Sequence, residues 1–138
     1  MKSSFYFDVL MYYMMEELEW PDTPSLKTRI GQLIFCDGGT CGKSEKGSFP
    51  IPIDEFKRVM IEENMKKPIK LTISGCLGVC IPNNVACLIT PEKTIWLGLL
   101  NNKEVYDDLL NYLRKSKDEG KMLELPESLK KHQFERFQ

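Results

Sequence analysis

Histidine is almost missing from this chain: His132 is the only one in 138 residues. A Rieske centre needs two histidines and is excluded. No Cys-x-x-Cys pair occurs, so the usual redox dithiol motif and the tight knuckles favoured by structural zinc sites are both absent. No Walker loop or nucleophile–base motif is present. Charge of one sign is also lacking. Nineteen Lys and Arg face twenty Asp and Glu, a net charge of −1, which gives no reason to expect nucleic acid or an anionic membrane as a partner. No apolar run is long enough to span a bilayer. The longest begins at Phe5 and ends at Met15, with Asp8 inside it. Glu16, Glu17 and Glu19 follow it, where a cleaved export signal would need small residues. Five cysteines are too few for a disulfide scaffold, and the number is odd. A reducing, cytoplasmic setting without membrane insertion is the expectation.

What is present describes an ordinary globular chain, 42% hydrophobic and 28% charged, of single-domain length. The aromatic, methionine-rich start reads as an amphipathic helix. Its plain role is packing on its own domain. Its sharper role is a contact with a partner or a second copy in a homodimer, carried by Met11, Met14 and Met15 beside Tyr12 and Tyr13. Residues 1–30 form this helix and a linker, 31–120 the main domain, and 121–138 a C-terminal extension.

Gln32, Leu33, Ile34 and Phe35 make a short apolar strand that ends at Cys36. A glycine- and proline-rich loop follows to Pro52. Asp54 is placed to cap a helix, in which Phe56, Val59 and Met60 share one face. Ile69, Leu71 and Ile73 alternate with polar residues, the period of a half-buried strand. Val85 to Thr90 and Ile95 to Leu97 flank a Pro91–Glu92–Lys93–Thr94 turn and predict a hairpin. Asn102 caps a last long helix that ends by Gly120, and a short one starts at Pro126. The predicted class is α/β: β-α-β, then a β-hairpin, then α, with the extra N-terminal helix.

Four cysteines fall into two pairs, Cys36-x4-Cys41 and Cys76-x3-Cys80. Each pair follows a strand. A strand–helix–strand unit makes its two strands parallel, so both pairs leave the same sheet edge. Four thiolates suit zinc or an iron–sulfur cluster. The wide spacings fit the larger binuclear [2Fe–2S] cluster more easily than one ion. Gly38, Gly39, Gly42, Gly75 and Gly78 let backbone N–H groups approach the sulfurs, and Lys43 and Lys46 are candidates to offset charge. Cys87 stands apart, inside the apolar run Val85-Ala86-Cys87-Leu88-Ile89, and reads as a buried small hydrophobe.

At these residues the chain resembles the thioredoxin-like [2Fe–2S] ferredoxins and the related small cluster-bearing subunit of respiratory complex I and hydrogenases. The resemblance rests on the first pair after a strand, on Ser74-Gly75-Cys76-Leu77-Gly78-Val79-Cys80, and on the hairpin ending Ile95-Trp96-Leu97-Gly98. It implies a thioredoxin-like fold, a [2Fe–2S] cofactor and the ligands Cys36, Cys41, Cys76 and Cys80. A narrower likeness, in residues 41–52, around Asn84 and in the tail, is to ferredoxin-like proteins encoded with cobaltochelatases, which implies a link to cobalamin synthesis. Asn83–Asn84 departs from the Ala-Pro or Gly-Pro usual after the last ligand. The function so implied is one-electron transfer between redox partner proteins, with no catalysis by the chain itself unless it serves as an accessory subunit of an oxidoreductase or chelatase. The alternative is a zinc- or cobalt-binding metal-handling protein using the same thiolates.

Overall fold

The computed structural model describes residues 18, 19, 29–78 and 82–137. The expected N-terminal helix and Cys80 lie outside them. The described residues build a mixed α/β fold: a five-stranded sheet and three α-helices. In chain order these are β1 (Gly31–Cys36), a 3-10 turn (Ser44–Lys46), α1 (Ile53–Glu62), β2 (Ile69–Ser74), β3 (Ala86–Ile89), β4 (Thr94–Leu97), α2 (Lys103–Glu119), α3 (Glu127–Lys130) and β5 (Gln133–Phe134). The sheet order is β2-β1-β3-β4-β5. β1 and β2 run parallel, with Cys36 opposite Ser74, as the strand–helix–strand pattern requires. β3 pairs antiparallel with both β1 and β4.

One sheet face carries the core. Leu33 and Phe35, Ala86 and Leu88, and Ile95 and Leu97 are buried against Phe56, Val59 and Met60 of α1 and Tyr106, Leu109 and Leu113 of α2. The rings of Phe35 and Phe56 meet edge to face at 4.9 Å, and Tyr106 adds a second edge contact at 6.0 Å from Phe35. Side chains alternate between faces along a strand, so Cys36 and Cys87 belong to the other face.

The helices start and stop for local reasons. Asn102 Oδ1 accepts the Val105 N–H at 2.9 Å and opens α2, and Gly120, at φ 72°, closes it. For α1 the expected cap is displaced. The Pro52 carbonyl already accepts the Phe56 N–H at 3.1 Å, so the helix is under way before Asp54, which sits in the first turn. There its carboxylate favours the positive end of the helix. No helix among the described residues is long and apolar enough to cross a membrane.

Beyond Gly120 the chain keeps contributing to the same body. Leu125 and Leu129 are buried in the core, and β5 pairs antiparallel with β4, setting Phe134 opposite Trp96. His132 anchors this return. Its backbone carbonyl accepts the Gly98 N–H at 2.9 Å, and its Nδ1 lies 2.9 Å from Gly98 O. A carbonyl only accepts, so Nδ1 carries the proton.

Candidate metal centre

The parallel pairing of β1 and β2 delivers two cysteine loops to one edge. Asp37 N–H donates to Ser74 O at 2.9 Å, extending the ladder one step past Cys36. The loops then approach each other closely through backbone. A Cβ on Gly38 would stand 2.3 Å from Cys76 N and 2.9 Å from Gly75 C. Only glycine allows that approach. The first loop turns at once, with Cys41 N–H donating to Gly38 O at 3.0 Å.

Cys36 and Cys41 are each 1% exposed and pack with Val85 in a small cluster, against which Leu77, Trp96 and Phe134 lie. Cys76 is exposed, and its sulfur accepts the Gly78 N–H at 3.3 Å. The arrangement is two inner thiols, one outer thiol and a backbone donor aimed at the outer sulfur. Such N–H···S bonds stabilise negative charge on sulfur. The described residues contain no group of three or more His, Cys, Asp or Glu side chains gathered as a metal site. Cys80, the fourth residue of the expected set, falls outside them. On donor chemistry and loop contact, the residues present fit a soft metal or cluster held by thiolates.

The two candidate lysines have other attachments. Lys43 Nζ lies 3.7 Å from Asp37 Oδ1, and Lys46 Nζ donates to Gly39 O at 3.3 Å. Lys46 thereby fixes the first loop rather than standing free beside a sulfur. Of the candidate glycines, Gly39, Gly42 and Gly78 have positive φ.

In the sequence Asn84 stands out only as part of a family likeness and as a departure from the usual Ala-Pro or Gly-Pro. It is 1% exposed and ties the first cysteine loop to the body. Its Oδ1 accepts the Gly42 N–H at 2.6 Å, and its Nδ2 reaches Phe49 O at 2.6 Å, Leu100 O at 3.2 Å and Tyr106 Oη at 3.3 Å. Ser48 Oγ donates to Thr40 O at 2.6 Å and receives Asn83 Nδ2, a second tie beside the first. Nothing in the sequence pattern separates such a hub from a turn-forming asparagine, because its partners are mostly backbone groups.

Cys87 is buried in β3 between Ile34 and Trp96, as expected of a small hydrophobe. Burial pushes its thiol pKa up, against a smaller opposing effect of the Arg136 charge. A raised pKa and burial both disfavour the reactive thiolate. Mass spectrometry after iodoacetamide treatment should find Cys87 unmodified until denaturant is added. Cys87→Ala should cost about 1–2 kcal/mol, the scale of a small core truncation.

No family model, curated protein or solved structure matches this chain.

Proposed function

We propose that the chain is a one-electron carrier with a thioredoxin-like domain that holds a [2Fe–2S] cluster through Cys36, Cys41, Cys76 and Cys80. The observation that carries the reading is the backbone contact of Gly38 with Cys76, which joins two cysteine loops far apart in sequence. A bound cluster would supply reversible one-electron chemistry between sulfide-bridged irons. The chain's part is to provide thiolates and a shell. Cys36 and Cys41 supply buried donors, Cys76 an exposed one, and the Gly78 N–H steadies its sulfur. The exposed second loop is the face a redox partner would meet. The likeness of the tail to cobaltochelatase-associated proteins extends the proposal to electron supply in cobalamin synthesis, in a reducing cytoplasm.

Anaerobic purification followed by iron, sulfide and zinc analysis tests this. The expected protein is brown, carries iron and acid-labile sulfide, and becomes paramagnetic on one-electron reduction. Cys76→Ala and Cys80→Ala should lose nearly all the iron, while Cys87→Ala keeps it. A colourless wild-type protein with one zinc or cobalt per chain would replace the carrier reading with metal handling at the same thiolates.

A further inference from the structure

The C-terminal tail reaches back to the second cysteine loop. Arg136, two residues past β5, lays its guanidinium over Trp96, 4.5 Å from the ring centroid. The Phe137 ring flanks the same cation at 5.1 Å. Two aromatic faces thus hold one positive charge in place. Its Nη2 stands 3.2 Å from where a Cβ on Gly78 would be, so the guanidinium borders that glycine directly. Gly78 is the residue whose N–H donates to Cys76 Sγ. Among the described residues no carboxylate forms an ion pair with Arg136. The guanidinium faces the loop that carries the exposed thiol.

We infer that Arg136 tunes the thiolate centre electrostatically, favouring its reduced form. The inference rests on the carrier reading above. Reduction by an external one-electron donor such as dithionite adds one negative charge to the centre. No bond or proton need move with it. A cation bordering the loop that carries Cys76 stabilises the added charge and raises the reduction potential. Arg136 acts through space and through the Gly78 peptide; it is a positioning residue and not a ligand. A merely structural clip between tail and sheet would hold the fold equally well but would leave the potential where it is.

The test compares the full-length wild type with Arg136→Gln and Arg136→Lys, all purified anaerobically. Iron and sulfide are counted first, and the midpoint potential is then titrated by visible absorption and electron paramagnetic resonance. Arg136→Gln is expected to keep its iron and to shift the reduced-to-oxidised ratio about tenfold toward oxidised, which is about 59 mV for one electron. Arg136→Lys should stay close to wild type. Arg136→Gln with iron at the wild-type potential overturns the inference, as does an equal shift in both variants. If Arg136→Gln loses its iron, retention by Arg136→Lys at the wild-type potential supports the charge role, and loss in both overturns it. A wild type without iron and sulfide is a separate outcome: it sinks the carrier reading itself, and the tuning role with it.

Discussion

Gly38→Ala is expected to lower stability by about 3 kcal/mol, at the upper end of the overpacking range, and to reduce iron retention. The added methyl would sit 2.3 Å from Cys76 N, 2.9 Å from Gly75 C and 3.0 Å from Cys76 Cα. All three are backbone atoms, so no flexible side chain can swing aside. The loops must part, or the end of β1 must shift against β2. The neighbouring Gly75→Ala is the control. Its Cβ would meet nothing within 4 Å and its φ is not positive, so its stability should stay within about 0.5 kcal/mol of wild type. Urea denaturation of the two variants decides the matter. Equal midpoints would mean that the close approach of the loops is not what holds this edge.

Asn84→Ala is the second large effect, expected at about 3 kcal/mol. The substitution strands the Gly42 N–H, bonded at 2.6 Å, and the Phe49 carbonyl, also at 2.6 Å, both half-buried beside an asparagine that is itself 1% exposed. Each unsatisfied buried group costs about 1–3 kcal/mol. The loss falls on the first cysteine loop, because Gly42 follows Cys41 directly. Tyr106→Phe removes only the weakest partner, at 3.3 Å, and should cost about 1 kcal/mol, partly for the lost hydroxyl contact. Thermal unfolding of both variants, with the order Asn84→Ala well below Tyr106→Phe, checks the assignment. A reversed order would move the hub from the asparagine to the ring.

The pairs of strands and the long helix were legible because each rests on a repeating pattern. Ile69, Leu71 and Ile73 alternate, Leu109 and Leu113 recur at helical spacing, and Asn102 and Gly120 mark the ends of α2. The single parallel pairing followed from chain connectivity. β5 was not legible: two residues carry no alternation, and its pairing depends on α3 turning the chain back toward Gly98. The start of α1 moved because a proline carbonyl, which sequence rules treat as a breaker, serves as the first acceptor. At the candidate site, the meeting of the loops could be argued from topology. Asn84 and Arg136 could not, since their roles come from three-dimensional neighbours such as Phe49, Leu100, Trp96 and Gly78.

The place of β1 in the sheet has a consequence for how the chain is born. The β3–β4 hairpin can close from neighbouring residues in about 1–10 μs. β1 must wait for partners made much later, ending with Ile89 opposite Gln32. At about 5–20 residues per second on the ribosome, Cys41 is exposed for roughly 2–10 s before that strand exists. A zinc finger lets its metal order the chain. Here a site that needs the whole sheet is complete only after Ile89 has been made, well after Cys36 and Cys41.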